Sequence, residues 1–177
     1  MNTEVPFEII PVWKQVDAGL TAELVELWGR TNAVPDPERA AIRARQAVCV
    51  ARSGDGALCG VGTAVLSFPR RLRQPLYYYR QFFAPEFRGH KQAVPFFNRA
   101  RQVLQDYTAA QATPESIGVL LELENQLLSA RYTRAFEPAA DSAFIGYSPR
   151  GLQLRVSYFE GATLHPLPPR PRPGAPA

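Results

Sequence analysis

The chain has 177 residues, 46% of them hydrophobic and 20% charged, which supports one domain with a hydrophobic core and leaves too little chain for two. Its formal net charge of +4 favours anionic partners such as phosphates without being a nucleic-acid signature. Two cysteines and two histidines are too few for a disulfide framework or a metal site, and the absence of a long apolar run or a leader pattern predicts a cytoplasmic protein.

Hydrophobic periodicity predicts the element order β-α-α-β-β-β-α-β-α-β-β, an α+β arrangement. In chain order, we expect a strand at 7–12, helices at 17–30 and 37–46, strands at 48–52, 57–68 and 76–84, a helix at 94–107, a strand at 117–123, a helix at 126–134, and strands at 143–147 and 152–159. Asp36 before Pro37 predicts an N-cap, and Asp55-Gly56 predicts a hairpin turn.

The C-terminal stretch has a different composition. Residues 165–177, HPLPPRPRPGAPA, are dominated by proline and cannot supply a core or a ladder of backbone hydrogen bonds. The sequence therefore predicts one domain over 1–164, followed by an extended or disordered tail over 165–177.

The stretch FFAPEFRGHKQA, residues 82–93, connects a predicted strand directly to a predicted helix. The first amides of such a helix lack intrahelical partners and, with the helix dipole, attract anions. Gly89 permits close approach of the backbone to a ligand, while Arg88, His90 and Lys91 add positive potential. The stretch indicates a phosphate or pyrophosphate site; the alternative is an ordinary turn with solvated basic residues.

The same stretch resembles the acyl-CoA-binding segment of the GNAT superfamily of N-acetyltransferases, whose pattern is Arg/Gln-x-x-Gly-x-Gly/Ala. The positions that match are Pro85, Glu86, Arg88, Gly89 and Ala93. Lys91 departs from the pattern, because it occupies the position of the family's central glycine. Its side chain either crowds a bound pyrophosphate or pairs with it, and the sequence leaves both open.

A second segment, ENQLLSARYTRAFEP (124–138), is similar to the family's fifth strand end and following helix. Asn125 and Tyr132 keep the family's spacing, and Ala135-Phe136 stands in for a Gly-Phe pair one residue early. The element order also matches. The resemblance implies a GNAT-like fold with a central mixed, mostly antiparallel sheet, splayed by a β-bulge between its fourth and fifth strands.

The resemblance also implies a site for acetyl-CoA, used as a co-substrate without a metal. The backbone of the fourth strand pairs with the pantetheine arm, and the amides of the following corner hold the pyrophosphate. The implied cofactor-binding residues are Phe82, Phe83, Arg88, Gly89, His90, Lys91, Gln92, Ala93, Val94 and Asn125. Tyr132 matches the tyrosine that protonates the departing thiolate; the alternative is a tyrosine packed on a short helix.

The predicted fourth strand carries no carboxylate that could deprotonate an amine. Glu122 and Glu124 lie two residues apart on the fifth strand and therefore share one of its faces. Either one is a candidate general base or a group that attracts a cationic amine. The alternative is that both are carboxylates on a solvated strand edge.

We therefore expect an acetyl-CoA-dependent N-acyltransferase that acts on a small-molecule or peptide primary amine by direct attack in a ternary complex. The first alternative is a catalytically altered GNAT-like domain that serves as a binding module, since Lys91 departs from the family pattern. A nucleic-acid binder that uses PRRLRQPLYYYRQ, residues 69–81, ranks last. No membrane association is expected, and a homodimer is left open.

Overall fold

Over residues 7–89 and 91–167, which the computed structural model describes, the chain forms eight strands and four α-helices. The strands are β1 (Phe7–Pro11), β2 (Ala47–Ser53), β3 (Leu58–Ser67), β4 (Leu76–Phe83), β5 (Gly118–Leu123), β6 (Phe136–Glu137), β7 (Ser142–Tyr147) and β8 (Gln153–Tyr158). The helices are α1 (Ala18–Arg30), α2 (Pro37–Ala44), α3 (Ala93–Ala109) and α4 (Gln126–Arg131).

Aspartate N-caps set the starts of α1 and α2. The side chain of Asp17 accepts a hydrogen bond from the Leu20 amide at 2.8 Å. Asp36 accepts from the amides of Glu38 and Arg39 at 2.9 and 3.2 Å, as its position before Pro37 predicts. These caps satisfy amides that have no intrahelical partner, so both helices begin within a residue of the predicted positions.

The strands form one sheet in the order β1-β2-β3-β4-β5-β8-β7-β6. Every neighbouring pair is antiparallel except β4 and β5, which are parallel because α3 carries the chain back across the sheet between them. The predicted α+β class with a mixed, mostly antiparallel sheet is confirmed. The prediction missed β6, whose two residues are too few to show any periodicity.

The sheet is open between the ends of β4 and β5. The two strands pair only where 77–79 meet 119–121, although β4 continues to Phe83 and β5 to Leu123. We call the space between 80–83 and 122–123 the β4–β5 gap. The predicted splay is therefore present. The bulge that the resemblance implied is not, because β4 keeps an unbroken register with β3, and β5 with β8.

The two faces of the sheet bury separate clusters of apolar side chains. On one face, side chains of β4 and β5 pack against side chains of α3. The strand residues include Tyr77, Tyr79, Phe83, Val119 and Leu121, and the helix residues include Phe96, Phe97 and Leu104. On the other face, α1 and α2 cover the sheet with residues that include Leu24, Leu27, Trp28, Ala40 and Ala44. Because Tyr77 and Tyr79 are 1% and 5% exposed, they offer no stacking platform to nucleic-acid bases.

The segment after β8 is attached to the domain at His165. The His165 amide donates to the side-chain oxygen of Gln74 at 2.7 Å, and the Gln74 amide group donates back to the His165 carbonyl at 3.1 Å. Gln74 is buried, so these bonds satisfy both of its polar ends. These bonds hold His165, the first residue of the predicted tail, against Gln74. The rest of the predicted disordered tail, 168–177, lies outside the described residues.

Among the described residues, none of the helices combines the length and the apolar composition needed to cross a membrane.

Candidate functional site

The hydrogen-bonding direction of β4 determines which residues face the β4–β5 gap. The Ala84 amide donates to the Cys59 carbonyl at 2.9 Å, and the register is continuous from there. In an antiparallel ladder, the backbone N–H and C=O groups of successive residues point alternately to the two sides of the strand. The backbone groups of Phe82 therefore point to β3, as that of Ala84 does, whereas those of Gln81 and Phe83 point to the gap. The sequence predicted that the backbone of Phe82 and Phe83 pairs with the ligand; the register instead turns the backbone groups of Gln81 and Phe83 toward the gap.

Arg88 lies where β4 ends. Its Nε donates to the Phe83 carbonyl at 3.0 Å, and its guanidinium lies 5.4 Å from the centre of the Phe82 ring. A 3-10 turn at Pro85–Phe87 precedes it and brings the chain around toward α3. The Nε bond fixes the guanidinium beside the gap, and its two terminal nitrogens remain able to bind a phosphate.

The corner between β4 and α3 uses left-handed backbone conformations. Gly89 has a φ of +88° and Lys91 a φ of +51°. Such a φ is ordinary for glycine and costs about 1 kcal/mol for a residue with a Cβ. Lys91 therefore keeps the backbone shape of a glycine position although it carries an exposed side chain. His90, predicted to bind the cofactor, lies outside the described residues.

The first turn of α3 has no side-chain cap among the described residues. The Gln92 side chain is buried and donates to the Phe87 carbonyl at 2.9 Å instead of capping the helix. The amides of Ala93 and Val94 precede the first intrahelical donor, Phe96, which bonds to the Gln92 carbonyl. Together with the positive end of the helix dipole, these amides form a site suited to an anion.

A hydrogen bond ties this helix start to the strand that leads to it. The Gln81 amide group donates to the Ala93 carbonyl at 3.1 Å. Gln81 therefore presents its backbone to the gap while its side chain positions α3. Gln81 is not among the predicted site residues, because the alternation of side chains along a strand does not reveal which neighbouring strand each backbone group faces.

Tyr132 follows the last turn of α4 and lines a cavity of about 750 Å³. Burial and the charge of Glu137 raise the pKa of its hydroxyl, while Arg155, whose guanidinium lies 5.6 Å from the ring centre, opposes them. The phenol is therefore a hydrogen-bond donor at neutral pH. The other residues that line the cavity include Leu123, Gln126, Ser129, Phe144, Tyr147 and Gln153. None of the lining residues belongs to β4 or to the corner at Arg88.

Asn125 has a structural role at the start of α4. Its side-chain oxygen accepts hydrogen bonds from the amides of Leu127 and Leu128 at 2.9 and 3.2 Å. This is an N-cap, and it occupies the oxygen. Only the Nδ2 group of Asn125 is left for the cofactor contact that the resemblance implies.

Glu122 and Glu124 lie together at the end of β5, bridged by Arg150. A terminal nitrogen of Arg150 lies 2.7 Å from a carboxylate oxygen of each, and the Tyr78 hydroxyl donates to Glu122 at 2.5 Å. Burial alone would raise the pKa of Glu122, but hydrogen bonds from Arg150, Ser148 and Tyr78 outweigh it and lower the pKa to about 2. With so low a pKa, the Glu122 carboxylate is a weak base at neutral pH but stays ionised, so it can bind a cation.

No protein-family model matches the chain, and no curated protein resembles it in sequence. Solved structures do resemble it. An acetyltransferase of the GNAT family from Streptococcus pneumoniae is 13% identical, matches 87% of this chain and 99% of its own length, and has a TM-score of 0.54. A GNAT family acetyltransferase from Listeria monocytogenes is 14% identical over 86% of this chain and 95% of its own, with a TM-score of 0.51.

The chain has the GNAT fold. A further solved structure with this fold is spermidine N-acetyltransferase from Vibrio cholerae in complex with CoA and spermine, which is 14% identical over 89% of this chain and 96% of its own, with a TM-score of 0.50. These matches confirm the predicted GNAT-like architecture. At such identities they establish the fold alone.

Proposed function

We propose that the chain is an acyl-CoA-dependent N-acyltransferase that moves an acetyl group from acetyl-CoA to a primary amine. The observation that carries the proposal is the β4–β5 gap: among the described residues, the end of β4 has no partner strand on this side and lies next to a helix start without a side-chain cap. The GNAT fold supports the reaction class, and one solved structure with this fold contains CoA.

The residues of the gap suit acetyl-CoA. In the proposal, the backbone of Gln81 and the amide of Phe83 pair with the pantetheine arm as an added strand would, while the Phe83 carbonyl keeps its bond to Arg88. The amides of Ala93 and Val94 bind the pyrophosphate. Arg88 and Lys91 add positive charge beside it.

When bound, acetyl-CoA supplies a thioester whose C–S bond breaks as the acceptor nitrogen forms a C–N bond. Tyr132 donates a proton to the departing sulfur, which its raised pKa permits at neutral pH. The amine loses its own proton to water. Glu122 and Glu124 attract the acceptor's ammonium group before that loss. The low pKa of Glu122 suits this role better than the role of a general base.

Calorimetric titration with acetyl-CoA tests the proposal. We expect binding well below 1 mM, and we expect Arg88→Gln to weaken it about tenfold through the loss of a phosphate contact. Arg45→Gln is the matched control, because it makes the same charge change at an exposed position at the end of α2. A chain that does not bind acetyl-CoA at millimolar concentration contradicts the proposal.

A second candidate is a GNAT-like domain that binds but does not catalyse. Lys91 at a glycine conformation and the commitment of Glu122 and Glu124 to Arg150 favour it. Thiol release with a panel of primary amines distinguishes the two functions. Binding of acetyl-CoA without acceptor-dependent thiol release would establish the binding module.

A further inference from the structure

The backbone of Tyr132 is held at both of its polar groups. Tyr132 follows the last turn of α4, and its amide donates to the Leu128 carbonyl at 3.0 Å. Its carbonyl accepts a hydrogen bond at 3.2 Å from the side-chain amide group of Gln153, which lies on β8. The sheet therefore determines the position of Tyr132 together with its own helix.

Arg155, two residues further along β8, holds Gln153 in turn. Its first terminal nitrogen donates to the side-chain oxygen of Gln153 at 2.8 Å, which leaves the amide group of Gln153 directed at Tyr132. Its second terminal nitrogen donates to the Arg134 carbonyl at 2.7 Å, two residues after Tyr132. Because Gln153 and Arg155 share one face of β8, both reach the segment that follows α4 and fix it at two points.

The positive charge of Arg155 is buried beside the Tyr132 ring. Arg155 is 1% exposed and forms no ion pair with a carboxylate within the part of the chain that the structure describes. Its hydrogen bonds go to neutral oxygens, which include those of Gln153, Arg134 and Ser142. Since its guanidinium lies 5.6 Å from the centre of the Tyr132 ring in a site with little water, its field acts strongly on the phenol.

This field favours the product of the proposed proton transfer. When the Tyr132 hydroxyl protonates a thiolate, its O–H bond breaks, an S–H bond forms, and a negative charge remains on the phenolate oxygen. A buried cation beside the ring lowers the free energy of the phenolate and so makes Tyr132 a stronger acid. Burial and the charge of Glu137 act in the opposite direction and raise the pKa of Tyr132. Water returns a proton to the phenolate before the next turnover.

The other charged or titratable groups near Tyr132 are less buried than Arg155. Arg131 and Arg134 are exposed neighbours along the chain, Tyr147 is exposed and lines the same cavity from β7, and Glu137 is half-buried. Water screens exposed charges, so their effect on the phenol is small beside that of the buried guanidinium.

We propose that Arg155 and Gln153 are positioning residues for the acyl transfer. Gln153 fixes the backbone of Tyr132, and Arg155 fixes Gln153 and stabilises the phenolate that forms when Tyr132 protonates the departing sulfur. The proposal rests on the proposed acyltransferase function with Tyr132 as its acid, and it adds two residues of β8. It requires neither side chain to contact acetyl-CoA.

The first experiment measures the ionisation of Tyr132 directly and needs no turnover. A tyrosine with one fluorine beside the hydroxyl, placed at position 132 of the full chain, gives a single fluorine NMR signal that reports the phenol. The fluorine also makes the phenol more acidic, which brings its titration into an accessible pH range. Arg155→Gln removes the charge and should raise the pKa at position 132 by about 1, whereas Arg155→Lys keeps the charge and should change it by less than about 0.5.

The second experiment tests the hydrogen bond to the Tyr132 carbonyl through Gln153→Leu, since leucine is of similar size but cannot form hydrogen bonds. We expect kcat to fall about tenfold at neutral pH while acetyl-CoA affinity, measured by calorimetry, stays within about twofold. In a Tyr132→Phe chain, the same Gln153→Leu change should alter kcat less than about twofold, because the acid that Gln153 positions is already absent.

Gln111→Leu is the matched control. The Gln111 side chain accepts a hydrogen bond from the Glu115 amide at 3.0 Å in the segment after α3, away from Tyr132. Its replacement removes one such bond and should change neither kcat nor the fluorine titration. Because Arg155 is buried, circular dichroism first establishes that its variants fold; if they do not, Gln153→Leu with and without Tyr132→Phe decides.

Two results would overturn this proposal while leaving the acyltransferase function in place. The first is an active chain in which Arg155→Gln leaves the fluorine titration unchanged. The second is an additive loss of kcat in the Gln153→Leu and Tyr132→Phe pair, or a loss of acetyl-CoA affinity equal to the loss of kcat, either of which assigns Gln153 a purely structural role. A chain that releases no thiol with any amine instead rejects the acyltransferase function and this proposal with it.

Discussion

At Lys91 the conformation of a single residue bears on both stability and ligand binding. Its φ of +51° is one that glycine adopts freely, and a Cβ costs about 1 kcal/mol there. The side chain is exposed, so its ammonium can reach a phosphate at the start of α3. Lys91 therefore imposes some backbone strain on the fold and supplies a positive charge beside the proposed pyrophosphate site.

The pair Lys91→Gly and Lys91→Ala separates these two effects. Glycine relieves the strain and alanine does not, so Lys91→Gly should be more stable than Lys91→Ala by about 0.5–1 kcal/mol in urea unfolding. Both variants lose the ammonium and should bind acetyl-CoA several-fold more weakly. Tighter binding by Lys91→Gly than by the parent chain would show that the lysine side chain crowds the site.

Tyr132 is predicted to act as an acid in the reaction, because its raised pKa keeps the phenol protonated. Tyr132→Phe removes the proton and keeps the ring that Arg155 faces. We expect kcat to fall about 100-fold, within the usual range for loss of a general acid, and acetyl-CoA affinity to stay within twofold. Steady-state kinetics and calorimetry measure the two quantities, and an equal loss in both would assign Tyr132 a binding role.

At the scale of elements, β5 and β8 approach each other closely at Gly118. A Cβ placed there would lie 2.5 Å from the Ser157 carbonyl oxygen and 2.8 Å from the Tyr158 Cα, both of which are backbone atoms of β8. Backbone atoms cannot rotate away as a side chain can. Gly118 thus lets β5 pair with β8, and β5 forms one side of the β4–β5 gap.

Gly118→Ala should lower the free energy of unfolding by at least about 2 kcal/mol, because the sheet must shift to admit the methyl group. Gly29 in α1 is the matched control, since a Cβ there meets nothing within 4 Å. Gly29→Ala should raise stability by about 0.5–1 kcal/mol through helix propensity. Chemical denaturation measures both changes. If Gly118→Ala left the free energy of unfolding unchanged, β5 and β8 would have to separate easily.

The short strand β6 shows how a distant residue can create an element. Arg155 of β8 is 1% exposed and donates to the Arg134 carbonyl at 2.7 Å and to the Ser142 carbonyl at 3.2 Å. These bonds hold the segment after α4 against β7, where Phe136 and Glu137 pair with it. The local sequence around Phe136 carries no trace of this contact, so β6 was missed.

At the scale of the whole molecule, Glu122 makes stability depend on pH. Its pKa is about 2 in the folded chain against an ordinary value of 4.5. Because the folded value is the lower one, the ionised carboxylate stabilises the fold above about pH 4.5, and this contribution is lost as the pH falls toward 2. Arg150 is half-exposed, so solvent screening limits the contribution to about 2 kcal/mol.

Glu122→Gln should therefore be less stable than the parent chain by about 2 kcal/mol at pH 7, with a difference that shrinks markedly by pH 3. Urea unfolding at a series of pH values measures this difference. Glu124→Gln is a control on the more exposed partner of Arg150. A difference between the parent chain and Glu122→Gln that is constant across this range would mean that Glu122 titrates normally.

The sequence by itself determined the helices, most of the strands and the caps, because these depend on residues within a few positions of one another. The spacing of apolar residues placed α1 and α3, and Asp36 with Pro37 placed the start of α2. The tertiary structure decided which strand each backbone group faces, so that the backbone groups of Gln81, and not those of Phe82, point into the gap. It also brought Tyr78 and Arg150 together at Glu122 from separate elements, since strand pairing and packing between distant segments determine which side chains converge.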